Sequence, residues 1–77
     1  MTTKELARRI SFRFAGYGHY KVELLYRNKY YYATTTNTMA IDRIVDGVDY
    51  KSGVLYNTLK SAYYALYDEV IIKNNLK

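Results

Sequence analysis

Apolar and polar residues alternate through the first half of the chain in three separate segments. Residues 9–15 and 20–27 each place apolar side chains at every second position, which is typical of half-buried strands. Residues 30–36 are aromatic and β-branched and favour a third strand. A Gly-Tyr-Gly reversal at 16–18 and a two-residue turn at 28–29 separate the segments. The pattern therefore predicts a three-stranded antiparallel meander.

The two predicted hairpins agree on which residues share a face. A loop over residues 15–19 puts Phe14 opposite Tyr20, and the second turn puts Tyr26 opposite Tyr31. Shifting either pairing by one residue would mix the apolar and polar sets, so the agreement supports the meander. The apolar face is predicted to contain Phe12, Val22, Leu24 and Tyr31. The opposite face collects Arg9, Arg13, Lys21, Glu23, Leu25, Arg27, Tyr30, Tyr32 and Thr34.

Helical spacing replaces alternation in the second half. Asn37 or Thr38 is suited to cap a helix over 38–46, and Gly47 is suited to stop it. A second helix is predicted from near Ser52 to about Asn74. The predicted apolar stripes are Ile41, Ile44 and Val45 in the first helix and Leu55, Leu59, Ala62, Tyr63, Leu66 and Val70 in the second, bordered by Tyr56, Tyr64 and Tyr67.

These elements predict one small α+β domain over residues 1–77, with a three-stranded antiparallel meander followed by two helices. The helices are the available cover for the sheet, so we expect both to pack on its apolar face and to leave the other face bare. Residues 3–8 are compatible with a short N-terminal helix capped by Thr3, and a frayed tail is the alternative.

Composition excludes several kinds of function. The absence of cysteine excludes disulfides, thiolate zinc sites and thiol nucleophiles. His19 is the sole histidine and lies in the glycine-flanked turn, which leaves no base for a serine relay. We therefore expect a protein that is not an enzyme and has no cofactor or metal site. The chain shows neither a signal peptide nor an apolar run of membrane-spanning length, so we expect a cytoplasmic protein with no membrane partner.

Charge is distributed unevenly along the chain. Residues 1–35 contain seven basic and two acidic residues, for a net charge of +5, whereas residues 36–77 contain five of each. The basic half is the predicted sheet, and cations interleaved with tyrosines favour nucleic acid, because cations bind phosphates and aromatic rings stack on bases. The candidate nucleic-acid-binding residues are Arg9, Arg13, Lys21, Arg27, Lys29, Tyr30 and Tyr32.

Three segments carry a resemblance to a known family. They are Tyr20-Lys21-Val22, Tyr26-Arg27-Asn28-Lys29-Tyr30 and Thr36-Asn37-Thr38-Met39-Ala40. Over residues 9–46 the chain resembles the arm-site DNA-binding domain of phage and transposon integrases of the tyrosine-recombinase kind. The resemblance implies a three-stranded sheet in the major groove and DNA rather than RNA as the partner. The groove-facing candidates that it implies are Arg13, Lys21, Arg27, Lys29, Tyr30 and Tyr32.

The chain is too short for a recombinase catalytic domain, so the resemblance implies an accessory protein of a mobile element. The element order is also similar to that of double-stranded RNA-binding domains. We rank that family lower, because residues 3–8 are short and the second predicted helix does not begin with a lysine-rich stretch.

A protein–protein interaction or homodimerisation module is the alternative. Leu25 would lie beside Tyr30 and Tyr32 on the bare face, where an aliphatic and aromatic patch marks a docking surface. The third strand would also offer its edge to a strand of another chain.

Overall fold

The chain forms a mixed α+β fold in the predicted order, preceded by a short helix. The computed structural model describes residues 1–48 and 53–76, and for residues 48 and 53–58 the backbone alone. The elements are α1 (Thr3–Arg9), β1 (Ile10–Gly16), β2 (His19–Tyr26), β3 (Lys29–Thr35), α2 (Thr38–Val48) and α3 (Gly53–Lys73). The strands form one antiparallel sheet in the order β1-β2-β3, which confirms the meander and the two helices after it.

Helix α1 begins with a capping box. The Thr2 hydroxyl accepts a hydrogen bond from the Glu5 backbone N–H at 3.2 Å, and the Glu5 carboxylate accepts from the backbone N–H of Thr2. The Thr2 hydroxyl also donates to the Glu5 carboxylate at 3.1 Å. The two bonds from the Thr2 hydroxyl and the Thr2 backbone N–H favour the ionised carboxylate and lower the pKa of Glu5. The predicted cap, Thr3, is wrong by one residue. Thr3 lies in the first turn, and its buried hydroxyl has no hydrogen-bond partner among the described residues.

The first hairpin has the predicted register. Phe14 lies opposite Tyr20, and Ile10 lies opposite Leu24. The reversal itself is tighter than predicted, because Gly16 still pairs with His19 across a β-bulge. The two residues of the turn, Tyr17 and Gly18, both have positive φ, at 50° and 75°, as tight hairpin turns require.

The second hairpin closes one residue earlier than predicted. Its turn is Arg27-Asn28, both with positive φ, so Leu24 rather than Tyr26 lies opposite Tyr31. Asparagine tolerates this backbone conformation better than lysine does, which favours Asn28 inside the turn. The pairing changes by two residues, an even number, so every side chain of β3 keeps its predicted face.

The core lies between one face of the sheet and helices α1 and α3. Val22 and Leu24 of β2 are fully buried against Leu6 and Leu66, while Phe12, on an edge strand, is only half-buried. Helix α2 packs chiefly on α3 rather than on the strands. The prediction that both later helices cover the sheet is therefore wrong for α2, and α1 takes its place.

Helix α2 begins at the predicted cap, where the Asn37 side-chain oxygen accepts from the Ala40 N–H at 3.2 Å. Ile41 and Ile44 are buried as predicted, whereas Val45 is half exposed. The buried stripe is completed by Ala40 instead, because α2 has α3 as its main neighbour and needs only a narrow apolar face.

Helix α3 buries the predicted stripe wherever its side chains are described. Tyr64 and Tyr67 are half-buried at its border, as predicted, and Leu55 and Tyr56 lie outside the described side chains. The buried positions are Leu59, Ala62, Tyr63, Leu66, Val70 and Ile71.

Gly47 does not stop α2, because the helix continues to Val48. Its role is close packing between two helices. A Cβ atom at this position would lie 2.6 Å from Cδ1 of Leu59 on α3, nearer than carbon atoms approach without displacement. The lack of a side chain therefore lets α2 and α3 approach each other.

We expect Gly47→Ala to destabilise the domain, although alanine is the better helix former by about 1 kcal/mol. The clash with the buried Leu59 should outweigh that gain and give a net loss of about 1–2 kcal/mol in the free energy of unfolding, measured by urea denaturation. The same change in a Leu59→Ala background should be neutral or stabilising. An increase in stability in the parent chain would contradict the close approach.

We also expect the two N-terminal threonines to differ in their effect on stability. Thr2→Ala removes the cap and should cost about 1 kcal/mol in the free energy of unfolding. Thr3→Val keeps the shape of the side chain and removes an unpaired buried hydroxyl, so it should leave stability unchanged or raise it. Thermal unfolding of both variants checks this. A larger loss of stability in Thr3→Val than in Thr2→Ala would indicate that Thr3 is the cap.

Candidate nucleic-acid interface

The sheet face opposite the core is free of helices among the described residues. We call it the open face. Alternation along the strands places on it the side chains that do not contribute to the core. Its members are Ser11 and Arg13 of β1, Lys21, Glu23 and Leu25 of β2, and Tyr30, Tyr32 and Thr34 of β3.

Two cations occupy directly opposite positions on this face. Arg13 of β1 pairs with Lys21 of β2, so their side chains leave the sheet next to each other. The Lys21 ammonium lies 4.6 Å from the ring centroid of Tyr32, one strand further on. This distance is within the range of a cation–π contact. Arg13, Lys21 and Tyr32 therefore form one compact group across all three strands.

Glu23 is the acid of the open face, and Tyr32 lies directly opposite it. The pKa of Tyr32 is raised, and the first cause is hydrogen bonding of its hydroxyl with the Glu23 carboxylate. The negative charge of Glu23 acts in the same direction, because it disfavours tyrosinate, while the charge of Arg13 opposes it.

A shallow depression of about 370 Å³ lies over this group. Its lining mixes two cations, one acid, one serine and two aromatic residues, and the excess of cations over acids suits an anionic ligand group better than an apolar one. The lining residues are Ser11, Phe12, Arg13, Lys21, Glu23 and Tyr32.

Three of the predicted interface residues lie elsewhere. Arg9 is the last residue of α1, and its charge acts on Tyr67 of α3, on the helix side of the sheet. Arg27 lies in the second turn, with its guanidinium carbon 5.0 Å from the ring centroid of Tyr26. Lys29 pairs with Tyr26, so alternation places its side chain on the helix-covered face of the sheet. Placing these three cations on the open face is therefore wrong.

The displaced cations share one end of the sheet, where β1 begins and the β2–β3 turn lies. We call Arg9, Arg27 and Lys29 the turn-end cluster. Tyr26 stands among them, and its ring contacts Tyr67 edge-on at a centroid distance of 6.3 Å. Burial and the neighbouring tyrosines Tyr26 and Tyr64 raise the pKa of Tyr67. Alternation gives the wrong face for Arg9 and Arg27, because it does not apply to a helix terminus or to a turn at positive φ.

The edge of β3 is partly occupied by the end of α3. The Asn74 side-chain amide donates to the Tyr32 carbonyl at 2.9 Å, and the Lys73 ammonium donates to the Thr34 carbonyl. These bonds use backbone acceptors that an added strand would need. The Leu25–Tyr30 pair of the predicted protein-docking patch does form, with Leu25 half-buried and Tyr30 exposed.

Other chemistry finds little support in the part of the chain that the structure describes. No group of three or more histidine or acidic side chains gathers there to hold a metal ion. His19 is exposed at the start of β2, with its ring nitrogen Nδ1 3.3 Å from the Gly16 carbonyl oxygen. Among the described helices, none is both long and apolar enough to cross a membrane.

We expect Glu23→Gln to lower the pKa of Tyr32 toward the ordinary tyrosine value. The substitution removes the carboxylate charge that disfavours tyrosinate and weakens the hydrogen bond that holds the phenol. Titration of tyrosine labelled with ¹³C at Cζ, followed by NMR, measures this for the single residue. Glu5→Gln is the matched control and should leave Tyr32 unchanged. An unaltered titration in Glu23→Gln would contradict the Glu23–Tyr32 contact.

The chain matches no protein-family model, no curated protein and no solved structure. The resemblance to arm-site DNA-binding domains therefore stays a prediction from residue patterns.

Proposed function

We propose that this chain is a non-catalytic nucleic-acid-binding domain that prefers DNA to RNA. Arg13 and Lys21 of the open face contact phosphates, and the exposed rings of Tyr30 and Tyr32 contact sugars or bases. The proposed setting is cytoplasmic, as an accessory protein of a mobile element, in line with the resemblance of residues 9–46.

The observation that carries the proposal is the direct pairing of Arg13 with Lys21. Like charges at opposite positions of neighbouring strands destabilise a sheet. The nearby acid, Glu23, has one negative charge against the two positive charges of Arg13 and Lys21, so it compensates this pair only in part. An anionic group in the depression above the two cations would remove the repulsion. A phosphate of a nucleic acid is such a group.

The turn-end cluster extends the positive charge beyond the open face. Arg27 and Lys29 are exposed around the β2–β3 turn, and Arg9 is exposed at the end of α1. A polyanion longer than one phosphate would pass from the open face to these side chains at the end of the sheet. Contacts of this kind position a nucleic acid without reading its sequence.

The dimensions of the sheet favour DNA. Three strands spaced by about 4.8 Å form a layer roughly 10 Å wide between the outer strands. The major groove of B-form DNA is about 12 Å wide and admits β-structure, whereas that of A-form RNA is deep and narrow. The turn-end cluster would then lie toward the phosphates that border the groove.

We expect Arg13→Gln with Lys21→Gln to weaken binding to duplex DNA roughly tenfold or more at low salt. Removing two phosphate contacts should also reduce the slope of log K against log salt concentration by about 2. Fluorescence anisotropy at several salt concentrations measures both quantities.

Arg43→Gln with Lys60→Gln is the matched control. It removes the same charge from exposed positions of α2 and α3, outside the sheet, and should change affinity much less. Equal losses in the two double variants would show attraction by net charge alone and contradict a site on the open face. Absence of binding to single- and double-stranded DNA and RNA at low salt would contradict the function.

A protein partner is the second candidate function. The Leu25–Tyr30 pair favours it, because it adds an aliphatic and an aromatic side chain to the open face beside the cations. Leu25→Lys separates the two candidates. The substitution should preserve or strengthen nucleic-acid binding, whereas it should abolish docking of a protein on this patch.

A further inference from the structure

The two edges of the sheet differ in how they are protected. On β3 the outward carbonyls of Tyr32 and Thr34 accept hydrogen bonds from Asn74 and Lys73 of the α3 terminus. On β1, no hydrogen bond between described residues occupies the outward backbone groups of the residues after Ile10. The backbone N–H of Ile10 donates to the Leu6 carbonyl of α1.

The bond from Ile10 to Leu6 also fixes which β1 residues face outward. In an antiparallel pair, backbone groups of alternate residues point to the same side of the strand. Ile10 therefore shares its outward direction with Phe12 and Phe14, while Ser11 and Arg13 bond to β2. The N–H groups of Phe12 and Phe14 and the carbonyls of Ile10 and Phe12 are left for a neighbouring strand.

The side chains along this edge are unusually apolar for an exposed strand. Phe14 is 66% exposed and contacts the Tyr20 ring edge-on at a centroid distance of 5.6 Å. Phe12 is half-buried and contacts the same ring at 6.3 Å. An edge with free backbone groups and exposed aromatic rings is the kind that pairs with another strand.

We propose that β1 pairs with β1 of a second copy of this chain, antiparallel about a two-fold axis at Phe12. Phe12 then lies opposite Phe12 of the second copy, and Ile10 lies opposite Phe14. The pairing joins two three-stranded sheets into one continuous sheet and places each Phe14 beside the helix-covered end of the other copy.

Charge favours a second copy of this chain as the partner of β1. It also favours one register for the pairing. An axis at Arg13 would put Arg13 against its own copy, and an axis at Ser11 would put Arg9 against Arg13. The axis at Phe12 instead puts Arg13 opposite Ser11 of the second copy, whose neighbour across the sheet is Glu23. An extended arginine side chain reaches that carboxylate, so the register is complementary to itself, as a two-fold interface requires.

The same register satisfies the free backbone groups of the edge. Phe12 of each copy donates to Phe12 of the other, and Phe14 of each donates to the Ile10 carbonyl of the other, about four hydrogen bonds in all. The Ile10 N–H needs no partner in the interface, because it already bonds to Leu6.

The first test is the oligomeric state of the full chain. We expect the parent chain to sediment as a monomer–dimer equilibrium between micromolar and millimolar concentrations and Phe14→Lys to sediment as a monomer throughout. The matched control, Ile72→Lys, charges a side chain of α3 that is 68% exposed and should dimerise like the parent. A parent chain that stays monomeric, or equal loss in both variants, would overturn the proposal.

The second test fixes the register. The chain contains no cysteine, so Ser11→Cys and Arg13→Cys each introduce a single thiol. When the two variants are mixed and oxidised, the mixed disulfide should form in several-fold excess over either homodimeric disulfide, because the proposed axis makes positions 11 and 13 neighbours. Predominant self-coupling of either variant would contradict the axis at Phe12. Neither test involves nucleic acid, so its outcome is separate from that of the proposed function.

Discussion

The fold depends on one constraint, namely that a three-stranded sheet must bury one face and has few residues with which to cover it. Period-two alternation assigns each strand residue to the covered or the bare side. Val22 and Leu24 of the central strand are fully buried, and Leu6 of α1 and Leu66 of α3 complete the core around them. The cations of the same strands are forced to the other side or to the ends of the sheet. The open face and the core are therefore consequences of the same alternation.

Thr35 links the end of the sheet to both later helices. Its fully buried hydroxyl donates to the Glu69 carboxylate of α3 and accepts from the Asn37 N–H, one residue before α2. Lys73, one turn after Glu69, pairs with it at 3.0 Å and also bonds to the Thr34 carbonyl. The end of α3 is thus held at the β3 edge, and no comparable set of bonds among the described residues reaches β1 beyond Ile10. The difference between the two edges follows from where α3 ends.

Alternation and helical spacing predicted the element order, the first register and most of the core, because each is a local consequence of burying one face. The second register could not be derived in this way. Closing the turn at Arg27-Asn28 or at Asn28-Lys29 leaves the faces unchanged, so only backbone preference at positive φ separates them. The packing of α2 on α3 depends on contacts between helices, which a stripe of apolar residues does not specify. Gly47 illustrates this, since its role is visible only when Leu59 lies beside it.

The same reasoning explains why only four of the seven predicted interface residues lie on the open face. Four of the predicted residues lie inside regular strands, where alternation decides which face of the sheet a side chain takes; they are Arg13, Lys21, Tyr30 and Tyr32. The other three lie at strand ends, where neighbouring elements decide the direction of the side chain; they are Arg9, Arg27 and Lys29. The strand register fixes the Cα positions of Arg13 and Lys21 opposite each other, whereas a cation in a turn has no such cross-strand neighbour. Arg27 rests against Tyr26, and the Lys21 ammonium lies over the Tyr32 ring. Because a fold of this size gains little stability from its core, the Arg13–Lys21 pairing comes at a cost, and relief of that cost by a bound anion is the physical basis of the ligand site that we propose on the open face.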